Sequence, residues 1–342
     1  MMASQISPPN NVLDWLLEKN DLGIRYLALR DLLNATPDDA DFREARKQAH
    51  SIGSIAAIMD KMEASGFWAK PGPGYTPKYY STVWSVILLA QLGADAALDE
   101  RIALACDYLL DHALNPGGQF TTLAAGAPSG TADCLQGNLC AALLDLGYED
   151  PRLESAFEWM ARSVTGEGVA PVHDRQAAVR YYAGKCGPRF ACGANNKQPC
   201  AWGAVKVMLA FSKLPRERCT PLIDRAVQEG VSFLFSTDPA LADYPSGYSA
   251  KPSGNWWKFG FPVFYVTDLL QNVETLVALG YGDDLRLSNA LNVIREKQDT
   301  QGRWALEYDY TGRTWLDFGP KKQPNKWVTL RAMRVLKAIE HH

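Results

Sequence analysis

Pairs of amphipathic helices joined by glycine-containing turns recur along this chain of 342 residues. In each pair the first segment carries apolar residues at helical spacing, and the second is more apolar and often ends in Leu-Gly. Strand signals are nearly absent, because Val and Ile follow the helical rather than the alternating period. The more apolar members are predicted at residues 80–93, 134–147, 200–214, 261–280 and 326–339, and residues 12–33 supply a shorter opening pair. About six helical hairpins at a regular spacing predict an all-α protein with a repeated architecture.

The clearest turn closes an amphipathic helix near the C-terminus and runs from Gln298 to Trp304, with the pattern Gln-x-x-x-Gly-x-Trp. Gly302 allows the left-handed turn that stops the helix, and Trp304 can pack back as a plug. Degenerate copies stand upstream at residues 66–68 and 117–120. The pattern resembles the QW repeat of the superfamily that contains squalene and other terpenoid cyclases and the protein prenyltransferases.

The resemblance extends from about residue 12 to residue 339 and is strongest in the C-terminal third. That part looks like bacterial proteins with prenyltransferase and squalene-oxidase repeats, many of them without an assigned reaction. The resemblance implies one (α/α)6 toroid over residues 12–342, with the second helix of each pair inside and its N-terminus at the mouth of a central cavity. An open solenoid of the same hairpins is the alternative architecture. Residues 1–11 are polar and Pro-rich and are predicted to be disordered.

Charge and composition exclude several classes of protein. The net charge of −3 provides no basic surface for nucleic acid. No run of about 18 apolar residues predicts an integral membrane span, and the N-terminus lacks the apolar segment of a secretory signal. Seven cysteines, without the spacing of a small disulfide scaffold, fit reduced thiols. We therefore expect a cytoplasmic protein; the oligomeric state is not predicted.

Four cysteines are predicted to gather at the starts of two neighbouring inner helices. Cys134 follows Asp133 at one helix start, Cys200 stands at the next, and Cys186 and Cys192 lie in the connection between them. The amino end of a helix favours a thiolate, and zinc binds such ligands tetrahedrally with one position open in catalytic sites. Protein prenyltransferases, which the chain resembles, carry zinc at this end of the toroid. A reactive thiol without metal and plain packing are the alternatives.

Two carboxyl groups are candidate acids. Asp268 lies within the predicted inner helix 261–280, on a polar stripe that also includes Thr275. Desolvation there is expected to raise its pKa and suit it to acid or base catalysis, whereas a structural hydrogen bond to a helix end or an Arg is the alternative. The pair Asp133-Cys134 resembles the start of the acid motif of oxidosqualene cyclases. The predicted catalytic residues are therefore Asp268, Asp133 and Cys134.

Aromatic residues cluster near the predicted inner-helix starts, where their faces could stabilise a carbocation. The predicted substrate-binding residues are Tyr79, Tyr80, Trp84, Trp257, Tyr265 and, for an anionic group, Arg189. Together these features predict an enzyme that acts on an apolar, isoprenoid or aromatic small molecule in a central cavity, by acid/base catalysis or a zinc-thiolate site. The alternative is a non-catalytic toroid that binds a ligand or a protein.

Overall fold

A computed structural model describes residues 10–123, 130–168, 185–249 and 251–340. These residues form thirteen α-helices: α1 (Asn10–Leu16), α2 (Leu22–Asp31), α3 (Ala40–Ser51), α4 (Ser54–Met59), α5 (Thr82–Gln91), α6 (Glu100–Ala113), α7 (Asp133–Asp145), α8 (Arg152–Thr165), α9 (Ala201–Lys213), α10 (Pro221–Leu234), α11 (Leu269–Leu276), α12 (Ser288–Glu296) and α13 (Lys326–Glu340). Within the described ranges there are isolated β-bridges but no strands. The all-α prediction is confirmed.

Of the N-terminal segment predicted to be disordered, residues 1–9 lie outside the described residues, and α1 begins at Asn10. The helices that the structure describes include none that is long and apolar enough to cross a membrane.

The helices fall into two kinds that follow from their sequences. Those of one kind, including α8 and α10, bury one face and expose the other. Those of the other kind are buried on nearly all sides; in α5 every residue from Thr82 to Leu89 is buried, and α7 and α9 are similar. A helix that is apolar all round must lie in the interior of a protein. The predicted division into outer and inner helices therefore agrees with the observed burial.

The glycine–aromatic turns repeat in structure as well as in sequence. Trp304 is buried, its indole Nε1 donates to Ile294 O at 2.7 Å, and its backbone N donates to Thr329 Oγ1 at 2.9 Å. Trp68 makes the equivalent bonds, from Nε1 to Ile58 O at 2.8 Å and from its backbone N to Thr82 Oγ1 at 3.2 Å. The preceding glycines, Gly66 and Gly302, have φ of 88° and 80°. Each Trp thus joins the end of one helix to the start of the next buried helix.

The buried helices pack on one another in chain order. Helix α5 packs on α7, α7 on α9, α9 on α11, α11 on α13, and α13 on α2. A cavity of about 640 Å³, which we call the carboxyl-end cavity, is lined by residues from all six of these helices, mostly from their second halves. Residues of all six helices therefore line one common cavity.

Among the described helices, the contact between α7 and α9 is the most extensive, and it depends on two glycines. A Cβ at Gly137 would lie 2.3 Å from the carbonyl carbon of Lys206, and one at Gly203 would lie 3.1 Å from the Cβ of Asp133. Such spacing allows the two backbones to approach closely, and it brings the amino ends of both helices to one place.

Candidate functional site

A second cavity, of about 400 Å³, opens where α7 and α9 begin, and we call it the amino-end cavity. Its volume is typical of small-molecule pockets, which range over about 300–1,000 Å³. Six aromatic residues contribute to its wall: Tyr75, Trp84, Trp202, Tyr244, Trp256 and Tyr265. Asp133, Cys134, Cys192 and Cys200 line it, and so do Lys78, Lys185 and Lys251. Four of the sequence-predicted catalytic or metal-binding residues therefore meet in one apolar pocket.

Asp133 is the first residue of α7, and its side chain is only 2% exposed. The backbone N–H of Gly187 donates to its carboxyl group, but Oδ2 has no hydrogen-bond partner among the described residues. Burial raises the pKa of this carboxyl well above its ordinary value, and the neighbouring Cys192 sulfur raises it further. Asp133 therefore retains its proton at a pH where an exposed Asp is ionised, and it lies in the cavity wall.

Cys192 and Cys200 are brought together by a short antiparallel pairing. Ala191 and Pro199 form an isolated β-bridge, the Cys192 N donates to Gln198 O at 3.1 Å, and the Cys200 N donates to Phe190 O at 2.9 Å. Side chains alternate between the two faces of such a pairing, so the two cysteines lie on the same face. The Cys200 thiol donates a hydrogen bond to the Cys192 sulfur.

The surroundings of these two sulfurs differ. Cys192 also accepts the backbone N–H groups of Ala194 and Asn195, whereas Cys200 is the N-cap of α9 and makes no side-chain capping hydrogen bond. The hydrogen bond from Cys200, with these N–H groups, lowers the pKa of Cys192 to about 6 despite its burial. The same hydrogen bond, with burial, raises the pKa of Cys200 well above the ordinary thiol value. The pair therefore holds one thiolate and one thiol near neutral pH.

The other two predicted zinc ligands are protonated thiols. Burial raises the pKa of Cys134 to about 11, and it raises that of the buried Cys186, which does not line the cavity. The described residues include no group of three or more His, Cys, Asp or Glu side chains that could hold a metal ion. Zinc takes such ligands tetrahedrally at about 2.3 Å, and the described residues do not assemble a group of this kind, so the zinc site stays a prediction.

Asp268 lies elsewhere than its sequence pattern indicated. It does not sit inside a helix but is the N-cap of α11, with Oδ1 accepting the backbone N of Gln271 at 2.7 Å. Asp is a preferred N-cap residue, because its side-chain oxygen accepts a backbone N–H of the first helical turn. Arg331 binds both carboxylate oxygens, at 2.9 and 3.0 Å.

This ion pair reverses the expected protonation of Asp268. Burial alone would raise its pKa, but the Arg331 guanidinium and the N–H groups of Gln271 and Gly260 outweigh burial, so the pKa is lowered. Asp268 also lines neither of the two cavities described above. The expectation of a raised pKa on this carboxyl is wrong, and the geometry matches the alternative of a structural bond to an Arg.

Two of the six predicted substrate-binding residues line the amino-end cavity. Trp84 and Tyr265 line the amino-end cavity, and Tyr79 lies behind them with its hydroxyl donating to Tyr265 Oη at 3.0 Å. The other three do not line it. The Tyr80 hydroxyl donates to Gly312 O, the indole of Trp257 donates to Ala240 O, and Arg189 is exposed.

Several site residues escaped the sequence analysis. Tyr75, Trp202 and Tyr244 line the amino-end cavity. Trp202 lies two residues after Cys200, so the helix start that identified Cys200 could also have identified it. Lys206 is fully buried in α9, its Nζ donates to Gln271 Oε1, and burial lowers its pKa to about 7. A buried Lys in an apolar run carries no sequence signal, because lysines normally mark the solvent face of a helix.

No protein-family model matches this chain, and no curated protein matches it. Among solved structures, one of a protein from Actinoplanes is 14% identical to it and covers 87% of this chain and 99% of its own, with a TM-score of 0.31.

Proposed function

We propose that this protein is an enzyme that takes an apolar isoprenoid or aromatic molecule into the amino-end cavity and transfers a proton to it from Asp133. The observation that carries the proposal is the Asp133 carboxyl: buried, raised in pKa and unpartnered at Oδ2 in an aromatic-lined cavity. An unsatisfied polar group in such a place costs about 1–3 kcal/mol. A group retained at that cost, in a concave apolar site, is a candidate for catalysis.

We further propose that the six buried helices form a closed (α/α)6 toroid of the terpenoid-cyclase and prenyltransferase type. Support comes from the carboxyl-end cavity, to which α2, α5, α7, α9, α11 and α13 all contribute, and from the packing of α13 on α2. Ile87 and Asn138 line both cavities, so the two cavities adjoin each other. In this arrangement the amino-end cavity is one mouth of the toroid.

The chemistry follows from the surroundings of Asp133. Its Oδ2–H donates the proton to an electron-rich carbon of the bound molecule, and the carboxylate that remains is reprotonated from solvent between turnovers. The positive charge that forms on the substrate is stabilised by the faces of Trp84 and Tyr265. A carbon next to the cationic centre then loses a proton to water, and a new double bond forms in the neutral product. Cys134, whose thiol is protonated, lines the same wall and shapes the pocket. No step requires a metal ion.

Proton transfer to carbon is tested by isotope incorporation. The protein is incubated with farnesol in deuterated buffer, and recovered isoprenoids are analysed by mass spectrometry. We expect carbon-bound deuterium with the wild type and none with Asp133→Asn. Asp243→Asn is the matched control, because Asp243 is an exposed acid beside Ala242, which lines the cavity. That control is expected to match the wild type.

Binding is measured in parallel through the fluorescence of the tryptophans that line the cavity. If farnesol binds the wild type and Asp133→Asn equally but neither incorporates deuterium, the result contradicts proton transfer and favours a non-catalytic binding toroid. Equal incorporation by both proteins would exclude Asp133 as the acid.

A further inference from the structure

Two of the seven cysteines, Cys192 and Cys200, have neighbouring side chains. Cys192 and Cys200 share a hydrogen bond between their sulfurs, lie on the same face of the pairing around Ala191 and Pro199, and both line the amino-end cavity. Other cysteines lack this combination: Cys106 and Cys140 are buried in the hydrophobic core, and neither lines the cavity.

We propose that Cys192 and Cys200 are a reversible oxidation site that hydrogen peroxide converts into a disulfide in the wall of the amino-end cavity. The inference is independent of the proposed proton transfer by Asp133. It rests on the contact between the two sulfurs, on their access to the cavity, and on the backbone groups that hold them.

The backbone determines the order of the two steps. The N–H groups of Ala194 and Asn195 and the Cys200 thiol all donate to the Cys192 sulfur, so its thiolate is the nucleophile. It attacks one oxygen of hydrogen peroxide, the O–O bond breaks, and hydroxide leaves, which makes Cys192 a sulfenic acid. The hydroxide takes up a proton from solvent and becomes water.

Cys200 then acts as the resolving cysteine. Its sulfur attacks the Cys192 sulfur, the S–O bond breaks, and the departing hydroxide takes the Cys200 proton as a second water. Overall, two thiols are oxidised to one disulfide and one peroxide is reduced to two waters. A small dithiol reverses the change by exchange. The crosslink ties the amino end of α9 to the turn at Gly193–Asn195.

Peptide mapping can identify the crosslink without ambiguity, because Lys197 lies between the two cysteines. After peroxide treatment, alkylation of free thiols under denaturing conditions and trypsin digestion, we expect residues 190–197 linked to residues 198–206. Dithiothreitol should restore both free thiols. The wild-type experiment depends on no variant that could fail to fold.

Two variants separate the roles of the sulfurs. In Cys200→Ser the reaction should stop at the Cys192 sulfenic acid, which dimedone captures, whereas Cys192→Ser should leave Cys200 unreacted under the same conditions. Cys219→Ser is the matched control and should form the crosslink as the wild type does, since Cys219 does not line the cavity. Linkage of Cys192 to the Cys134 peptide, or peroxide oxidation of Cys219 before any 192–200 crosslink forms, would overturn the proposal.

Discussion

Replacing Asp268 with Asn should strongly destabilise the fold. The carboxylate accepts four hydrogen bonds: from the backbone N of Gly260 at 3.1 Å, from that of Gln271 at 2.7 Å, and from Arg331 Nη1 and Nη2 at 2.9 and 3.0 Å. Asn retains one acceptor oxygen, which can still cap α11. Its amide NH₂ then faces the N–H donors of Gly260 and Arg331. Arg331, which is only 5% exposed, loses its bidentate carboxylate partner.

The magnitude follows from the burial of the pair. Removing one partner of a buried ion pair costs about 3–5 kcal/mol, because the remaining charge is uncompensated. In the variant, Glu274 still binds Arg331 at 2.7 Å and partly compensates its charge. We therefore expect a loss of stability at the lower end of this range, about 3 kcal/mol. Urea unfolding at pH 7 measures this loss. Glu158→Gln is the control, because it breaks the more exposed pair with Arg162 four residues later and should cost about 0.3–0.5 kcal/mol.

The pH dependence of this loss has a defined sign. The folded-state pKa of Asp268 is lowered, so its contribution to stability is present above the usual Asp pKa and is lost as the pH falls through the folded value. The difference between wild type and variant should therefore shrink in acid. A loss below about 1 kcal/mol at pH 7, together with abolished turnover, would refute this reasoning and restore Asp268 as a catalytic acid.

Two further substitutions test the site and its support. Asp133→Asn should raise the free energy of unfolding at neutral pH, and the gain should grow as the pH rises above about 4. The reason is that the folded wild type keeps the Asp133 proton at a pH where the unfolded chain releases it. Urea unfolding of both proteins between pH 4 and 8 measures the gain, and equal stability throughout would contradict the raised pKa. Gly137→Ala should lower the free energy of unfolding by about 1–3 kcal/mol or more, because the added Cβ forces α7 away from α9. A Cβ at Gly254 would meet no atom within 4 Å, so Gly254→Ala should change stability by less than about 0.5 kcal/mol. Thermal unfolding compares the two variants, and equal effects would contradict the close packing.

Local sequence patterns predicted the helices well because the forces behind them are local. The apolar run predicted at residues 80–93 is α5, Thr82–Gln91, and the run at 326–339 is α13, Lys326–Glu340. Gly302 and Trp304 form the predicted turn and plug, with the indole bound to the preceding helix. Helical spacing and left-handed glycines depend only on residues a few positions apart, so they can be recognised from the sequence alone.

The roles of the two acids could not be separated in the same way. Arg331, the partner of Asp268, lies 63 residues away in the sequence, and no local pattern joins them. The lack of a hydrogen-bond partner for Asp133 Oδ2 likewise depends on the tertiary structure around it. Both carboxyls are buried, and only the tertiary partners determine that the pKa of one is lowered and that of the other is raised.

The protonation state of Asp133 tests the central claim most directly. Infrared difference spectra between the wild type and Asp133→Asn isolate the vibration of this one carboxyl group. At pH 7 we predict a band from a protonated carboxylic acid in the wild type that the variant lacks, and its replacement by carboxylate bands only at higher pH. A carboxylate signal from Asp133 at pH 7, without the acid band, would contradict the assignment of this residue as the proton donor of the cavity.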